Sequence, residues 1–486
     1  MGLSSAIVVD EEHIPETDVS DIGVTRGRFD SARVRNLLRE MYGEQELSRL
    51  IESRADQRMI FGINPYYLAL ASGGGLRDRA GEVIVPDMPP SRALLALVMP
   101  RAGETFDMTG ESDPSSQNRY SPDAIKGKVI HKYDEIVLAH SSLACSAHCR
   151  YCYRLDFFNR STGKGLVSPE DLRDYVLRYN ERFTRECAES ERRYPISEVL
   201  LSGGDPMVLS NRQLYKYLAA AGQAGVDIVR IGTKEIAFRP QRFDESFIET
   251  LRIFHARYPD VHVRFIFHFS HPDEFLGRRH DGSYIQSGKS RDKFVWLRTV
   301  EGAIRALQQL SFISLDNQTP MIKHVNDEAY CLFILHKELQ RKGIRPQYTF
   351  QCRAIEGHKS FAVPIETAWR IHNASQVGLT GPGRSLFVLS TEAGKLEVVG
   401  LLGAESTAVS SFLVPSAVAP HLRVSLGTGL IMFRVHRSPG AGTSLGQLVI
   451  AKSNPDALWI SDYEDRIIFD GRSPSSEASG GHLVAV

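Results

Sequence analysis

The 486-residue sequence lacks the features of several large protein classes. Six cysteines are too few for a disulfide-dense scaffold of this size. No apolar run approaches the roughly 18–20 residues that span a bilayer. The first residues lack the pattern of a secretory signal, and Ala6 stands where a myristoylation motif needs Ser or Thr. Lys+Arg and Asp+Glu each total 58, so no excess of basic residues points to nucleic acid. We expect a cytoplasmic protein with a small-molecule partner and neither a membrane nor a nucleic-acid partner.

Half of the cysteines lie together. Cys145, Cys149 and Cys152 form a CxxxCxxC run, whereas the other three cysteines are scattered through the chain. In a reducing compartment this distribution favours metal binding over disulfide bonds.

The middle of the chain alternates between strand-like and helix-like patterns. The predicted strands are residues 134–140, 196–202, 227–233, 261–269, 312–317 and 346–352. A helix is predicted to begin after Ser168, an N-cap followed by Pro169, and further helices cover roughly 210–223, 243–257, 296–309 and 327–342. Six strands separated by helices predict parallel βα units in a barrel or an open sheet, with the chemistry at the C-terminal strand ends.

Three units are expected along the chain. Residues 1–128 are predicted to form a mainly helical unit and a connecting loop, and residues 129–365 the α/β unit. Residues 366–486 carry short strands between Gly, Pro and Ser turns, which predicts a small α+β unit with a disordered tail from about 473.

The cysteine run directly follows the first predicted strand, in the loop at its C-terminal end. Three thiolates there can ligate three irons of a [4Fe–4S] cube and leave the fourth iron for an exogenous ligand. The alternative is a structural zinc site with His148 or His140 as the fourth ligand. Zinc sites usually combine two separated ligand pairs, and the sequence holds no second pair, so the spacing favours the cluster.

With the segments around it, this motif resembles the radical S-adenosylmethionine (SAM) superfamily and, within it, the lysine 2,3-aminomutase family. The similarity covers roughly 340 residues and includes CSAHCRYCYR, LLSGGDPMVLS, FIFHFSHPDEF, DNQTPMIKHVND and STEAGKLEVVG. It implies a partial (β/α)6 barrel and three cofactors: the cluster, SAM and pyridoxal 5′-phosphate (PLP). It also implies an electron donor of the flavodoxin or ferredoxin type. We further expect a homo-oligomer.

The resemblance implies a SAM site after the later strands. Ser202, Gly203, Gly204 and Asp205 would lie after the second strand and pair with the methionine part of SAM, and His268 and Gln318 would line the same cofactor. Taken alone, Gly-Gly-Asp-Pro is an ordinary turn, and single polar residues at strand ends are more often structural.

The resemblance also implies a PLP site. Lys395 falls at the position of the PLP-binding lysine, and Tyr133 and Lys132 match contacts to the ring and the phosphate. Ile136 stands where relatives have a second phosphate-contacting arginine, so either another group compensates or PLP binds more weakly. The turn before Lys395 is also short. The alternatives are a solvated lysine, and a radical SAM enzyme without PLP that acts as an epimerase, a dehydratase or a peptide modifier.

Departures from the family pattern concern the substrate. Arg154 matches the arginine that binds the substrate α-carboxylate. Arg353 and Ser390 replace two aspartates by which lysine-specific members bind the distal ammonium, so the local charge is reversed. A salt bridge from Arg353 to Glu356 is the structural alternative. We predict a glutamate-like or other acidic or polar substrate, whose amino group moves from C2 to C3 through a PLP aldimine and a 5′-deoxyadenosyl radical.

Overall fold

The computed structural model describes residues 14–17, 32–53, 61–113, 115–154, 165–186, 194–288, 293–403, 429–439 and 444–472. The predicted disordered tail from about 473 lies outside the described residues. Within these ranges no helix combines the length and the apolar character that a membrane span requires.

The elements follow the predicted alternation. The helices are α1 (Ala32–Ser53), α2 (Pro65–Ser72), α3 (Arg92–Val98), α4 (Gly103–Phe106), α5 (Pro169–Glu186), α6 (Asn211–Gln223), α7 (Glu235–Phe238), α8 (Glu245–Arg257), α9 (Arg298–Gln308), α10 (Ala329–Arg341) and α11 (Ile365–Ser375). The strands are β1 (Gly74–Arg77), β2 (Val83–Asp87), β3 (Val129–Tyr133), β4 (Ile136–Ser142), β5 (Glu198–Gly203), β6 (Ile228–Thr233), β7 (His262–Phe267), β8 (Ile313–Met321), β9 (Arg345–Gln351), β10 (Leu386–Thr391), β11 (Gly394–Leu402), β12 (Leu430–Arg437), β13 (Leu448–Lys452) and β14 (Ile467–Asp470).

One mixed sheet of twelve strands, β3 to β14, organises the molecule, and neighbours in the chain are neighbours in the sheet. Strands β4 to β10 run parallel to one another, β3 is antiparallel to β4, and β10 to β14 form an antiparallel meander. All six predicted strands are therefore present as β4 to β9. The described sheet does not close into a barrel, because β3 and β14 remain at its two ends.

The two faces of the parallel strands carry different residues. On β6, Val229 and Ile231 are completely buried, whereas Arg230 and Gly232 line a central cavity. The predicted helix start is also confirmed, since Ser168 Oγ accepts a hydrogen bond from the backbone N–H of Asp171 (3.0 Å). The alternation seen in the sequence thus separates a core face from a functional face.

Side chains and turns bridge the open side of the sheet. Arg437, at the end of β12, forms an ion pair with Glu135 in the turn between β3 and β4. Lys132 on β3 donates to the carbonyl oxygen of Thr391 at the end of β10 (2.5 Å), and Ser115 donates to that of Ser390. We call these contacts the seam. They bring the C-terminal strands against the first strands of the sheet.

Candidate active site

A cavity of about 380 Å³ lies inside the parallel part of the sheet and at its C-terminal ends. Every residue that the sequence singled out for a cofactor or substrate lines it. These are Lys132, Tyr133, Cys145, Cys149, Cys152, Arg154, Ser202, Gly203, Gly204, Asp205, His268, Gln318, Arg353, Ser390 and Lys395. Ile136 lines it too. The structure thus places these residues in one cavity, and their individual roles remain proposals.

The three cysteines of the motif face this cavity with free thiols. Burial raises the pKa of Cys149 to about 12 and the pKa of Cys145 well above its ordinary value, and the neighbouring thiols add to both shifts. Iron binding would overcome this cost because a cluster ligates the thiolate form. The donor set therefore fits an iron–sulfur cluster.

The alternative of a mononuclear zinc site gains no support from the geometry. Among the described residues, no three His, Cys, Asp or Glu side chains converge on a position for one metal ion. In a cube each thiolate binds a different iron, so its ligands need only face one cavity. Of the two candidate fourth ligands, His148 lines the cavity, while His140 Nδ1 is hydrogen-bonded to the carbonyl of Gly127 (3.1 Å).

The N-terminal helices hold the cysteine loop in place. The backbone N–H of Arg150, between two of the cysteines, donates to Leu97 O at the end of α3 (2.8 Å), and that of His148 donates to Gly62 O (2.8 Å). The Arg150 guanidinium pairs with Glu104 on α4 (2.6 Å), and both side chains are fully buried. This pair fixes the loop from behind.

The Gly-Gly-Asp turn after β5 supports the same loop from the other side. Gly204 N–H donates to Ser142 O (2.6 Å) and Asp205 N–H to Ala144 O (2.8 Å). A Cβ atom on Gly204 would overlap the carbonyl oxygen of Ala144, so only glycine allows this approach. The turn therefore positions the first cysteine. The backbone N–H groups of Gly204 and Asp205 therefore donate to the cysteine loop.

Asp205 and Lys234 form a buried polar group below the loop. The Asp205 carboxylate accepts from Thr233 Oγ1 (2.8 Å) and from Lys234 N–H (2.7 Å), and burial raises its pKa, with a further contribution from Glu235. The Lys234 ammonium pairs with Glu274 (2.7 Å) and donates to His268 O (2.6 Å). Sequence reasoning missed Lys234, although it directly follows a predicted strand.

The two remaining SAM candidates lie at strand ends. Burial, followed by the charge of Lys234, lowers the pKa of His268 well below its ordinary value, so the imidazole ring is neutral. Its Nε2 atom lies 3.1 Å from the hydroxyl oxygen of Tyr151. Gln318 donates from Nε2 to Gln347 Oε1 (2.6 Å). Both side chains are held in place and border the cavity.

Lys395 lies in the cavity wall. It pairs in register with Ser390 on β10 and with Arg437 on β12, which aligns these three residues across the sheet. Its Nζ lies 3.9 Å from the centre of the Tyr348 ring. Burial first, and then the charges of Arg437, Arg230 and Arg353, lower the pKa of Lys395 to about 7. Much of this lysine is therefore a neutral amine near neutral pH, as carbonyl chemistry requires.

Lys132 and Tyr133 reach the cavity from β3. Burial, aided by Arg353, lowers the pKa of Lys132 to about 8. The ring of Tyr133 lies 4.0 Å from the Arg437 guanidinium carbon. The β3 residues therefore meet the C-terminal strands at the seam, inside the cavity.

Two arginines border the space between the cysteine loop and Lys395. Arg154 donates to Gly203 O (2.7 Å) and to Ser202 Oγ. Arg353 stacks over the Tyr153 ring (4.0 Å), and its Nη2 donates to Ser390 Oγ (3.3 Å). Both arginine side chains line the cavity.

Arg353 has no carboxylate partner within ion-pair distance among the described residues. Glu356, the structural alternative considered from the sequence, is exposed and forms no salt bridge with it. With its amide oxygen turned towards the arginine, Gln117 accepts from Nη1 (3.0 Å). The Arg353 guanidinium thus donates hydrogen bonds to the neutral side chains of Ser390 and Gln117.

Two further cations, Arg230 on β6 and Arg437 on β12, line the cavity and were missed by sequence reasoning. Each is paired with a glutamate, Arg230 with Glu198 and Arg437 with Glu135. Arg230 could have been found from the sequence, because a charged residue inside a predicted buried strand points to a functional or ion-paired position. Arg437 had no signal in the local sequence, since its position depends on the pairing of β11 with β12.

Comparison with known proteins shows that the chain is similar in sequence to amino acid 2,3-aminomutases. No family model matches it. It is 25% identical, over 85% of its length and 90% of the relative's, to an Aquifex aeolicus protein provisionally named L-lysine 2,3-aminomutase. It is 25% identical, over 74% of its length and 70% of the relative's, to L-lysine 2,3-aminomutase of Methanococcus maripaludis. Glutamate 2,3-aminomutase of Clostridioides difficile is 23% identical over 64% of the chain and 60% of the relative. These relatives support the lysine 2,3-aminomutase family of radical SAM isomerases, the family that the motifs of the chain resemble.

Proposed function

We propose that the protein is a 2,3-aminomutase that moves the amino group of an acidic amino acid, with glutamate as the leading candidate, from C2 to C3. The reaction type is supported by the names of the relatives. The scaffold would be a partial (β/α)6 barrel over residues 129–365, with residues 1–128 behind the cysteine loop and residues 366–486 supplying Lys395. A flavodoxin or ferredoxin would supply electrons, and the enzyme would be a cytoplasmic homo-oligomer.

The family's cofactors are a [4Fe–4S] cluster, SAM and PLP, which agrees with the sequence prediction. In this chain Cys145, Cys149 and Cys152 would hold the cluster, and Lys395 would hold PLP. SAM would bind beside Ser202, Asp205, His268 and Gln318, which line the cavity. Once bound, the cluster and SAM supply a 5′-deoxyadenosyl radical that removes and returns hydrogen, and PLP carries the migrating nitrogen.

The observation that supports an acidic substrate is the positive charge of Arg353. Arg353 is half-buried and has no carboxylate in ion-pair contact among the described residues, so a bound anion would complete the site. The ammonium of a lysine side chain would meet repulsion there, whereas a side-chain carboxylate would receive charge-assisted hydrogen bonds. Ser390, hydrogen-bonded to Arg353, adds a neutral donor beside it.

The chain's own residues would orient the substrate at two points. Arg154, fixed by Gly203 O and Ser202 Oγ, would bind the α-carboxylate, and Arg353 would bind the distal carboxylate. Two fixed anion sites define the direction of the carbon chain between them. The walls of the cavity would keep water and reductant from the reacting carbons.

The test is an anaerobic assay of the reconstituted enzyme with glutamate and with lysine, in which the β-isomer and 5′-deoxyadenosine are both measured. We expect β-glutamate as the main product. A clear preference for lysine would refute the substrate assignment.

A matched pair of variants tests the role of Arg353. Arg353→Gln removes a charge-assisted contact, so kcat/KM for glutamate should fall about tenfold to a hundredfold. Arg434→Gln, which removes an arginine paired with Glu397 on the exposed part of β12, should leave it unchanged. Equal effects of the two changes would contradict the role given to Arg353.

Lys395→Ala tests the use of PLP. The wild-type protein should show the absorbance of covalently bound PLP, and the variant should lose it while its iron content stays the same. If the wild-type protein has no such absorbance, a radical SAM reaction without PLP takes the place of the aminomutase proposal.

A further inference from the structure

Ile136 stands where relatives have a phosphate-contacting arginine, so another residue of this chain would have to bind the PLP phosphate. The cations near Lys395 are the candidates. Ile136 lines the cavity with an apolar side chain that cannot donate a hydrogen bond. Lys132, the other phosphate candidate from the sequence, donates to Thr391 O (2.5 Å) and to Ser115 O (3.4 Å). Its ammonium is therefore directed towards the turn after β10.

Arg437 lies beside Lys395 in the wall of the cavity. It is the direct cross-strand partner of Lys395 on β12. The register of β11 against β12 shifts directly after this pair, so the placement of the two side chains rests on the cavity that they share. Both side chains line the cavity, and Arg437 is the first of the charged neighbours that depress the pKa of Lys395.

The guanidinium of Arg437 is also held in a fixed orientation. It stacks on the ring of Tyr133 at 4.0 Å and pairs with Glu135 across the seam. The ion pair uses one edge of a planar group that has five N–H donors. A guanidinium fixed in this way is preorganised to bind an anion with two hydrogen bonds.

The backbone supports this placement. Gly394, immediately before Lys395, has φ of 112°, and a Cβ atom there would overlap the carbonyl oxygen of Arg437. The β11 turn therefore approaches β12 as closely as a glycine permits. Arg230, whose own pKa is lowered mainly by burial and further by Arg437, adds a second cation nearby.

We infer that Arg437 binds the phosphate of PLP in place of an arginine at position 136, with Arg230 contributing positive charge behind it. The inference rests on the proposed PLP-dependent function and adds a residue that the family motifs do not include. A phosphate monoester carries nearly two negative charges near neutral pH. Each of the two arginines is paired with a glutamate and would offer its remaining N–H donors to that group.

The experiment compares the binding of two aldehydes to the apoprotein: PLP, and pyridoxal, which lacks the phosphate. Equilibrium dissociation constants are read from the absorbance of the bound aldehyde. Arg437→Gln should lower the ratio of PLP affinity to pyridoxal affinity about tenfold to a hundredfold, because a change in the pKa of Lys395 affects both aldehydes alike and only PLP carries the phosphate. The control variant Arg434→Gln on the same strand should change neither affinity.

Arg437→Lys is the second variant. It keeps the charge but not the planar fork, so its PLP affinity should lie between those of the wild type and Arg437→Gln. If Arg437→Gln does not fold, Arg437→Lys decides the question by the same ratio of PLP to pyridoxal affinity.

Equal losses for PLP and pyridoxal, or no loss of PLP affinity, would overturn the inference and leave the proposed function intact. Absence of Lys395-dependent PLP binding in the wild type would overturn both.

Discussion

Lys395 is the residue whose chemistry depends most on its neighbours. Burial and three arginines lower its pKa to about 7, so its amine is mostly protonated below pH 7 and mostly neutral above it. Because only the neutral amine attacks an aldehyde, the rate of PLP capture by the apoprotein should rise between pH 6 and pH 8. Stopped-flow absorbance measures this rate. A flat profile, or a rise only near pH 10, would contradict the low pKa.

A second residue-scale prediction follows from the cause of that shift. Arg437→Gln removes a positive charge beside the ammonium, which stabilises the protonated form and raises the pKa of Lys395. The pH midpoint of capture should therefore move upward in this variant. Arg434→Gln serves as the control and should leave the midpoint in place.

At the residue scale the sequence located the site well but not completely. Most of the motif residues line one cavity because they follow the C-terminal ends of parallel strands, whereas Lys132, Tyr133 and Lys395 reach it from the antiparallel strands β3 and β11. Arg437 could not be found in this way. Its contact with Lys395 depends on the register of β11 against β12, which no local pattern encodes.

Among the elements, α4 and the cysteine loop depend on one buried ion pair. Glu104→Gln would remove the carboxylate charge that faces Arg150 in a fully buried position, so the free energy of unfolding should fall by about 3–5 kcal/mol. Arg119→Ala, which breaks the exposed pair with Glu392, should cost less than about 1 kcal/mol. Denaturant unfolding compares the two. A larger loss in Arg119→Ala would contradict the assignment.

The turn between β10 and β11 gives another prediction for an element. Gly394→Ala places a Cβ atom against Arg437 O and requires a positive φ, so β11 and β12 must move apart. We expect a loss of about 1–3 kcal/mol in unfolding free energy together with weaker PLP binding. Gly302→Ala, in open space on α9, is the matched control and should cost nothing. Unfolding and PLP absorbance measure both effects.

The strands that the sequence missed or misplaced have physical explanations. β3 reads VIHKY, a short segment with polar residues at its end, and it becomes a strand only by pairing with β4. The predicted strand 134–140 began two residues early because Asp134 and Glu135 form the turn between β3 and β4. Whether such a short segment becomes a strand depends on its pairing with neighbouring strands rather than on its own sequence.

At the scale of the whole molecule, the predicted C-terminal strands join the same sheet as the parallel strands. Local patterns cannot show whether a run of short strands forms its own sheet or extends another one. Here β10 pairs in parallel with β9 and continues the sheet. The predicted boundary at residue 366 lies in α11, which connects these two paired strands, and the division into units stays a prediction.

The seam leads to a whole-molecule prediction. Because the proposed PLP and substrate contacts come from both sides of it, ligand binding should slow hydrogen exchange in the segment around Lys132 and in the turn 391–394 together. Exchange measured by mass spectrometry, with and without PLP and glutamate, tests this. Slower exchange on one side only would show that the ligands do not bridge the seam.

The distance along the chain between the cysteine loop and Lys395 also has a consequence for biosynthesis. During translation the cysteine loop leaves the ribosome long before β11 and β12 are made. A nascent chain therefore contains all three candidate cluster ligands before it contains Lys395 or Arg437. On the proposed roles, a PLP site would be complete only when synthesis has passed β12.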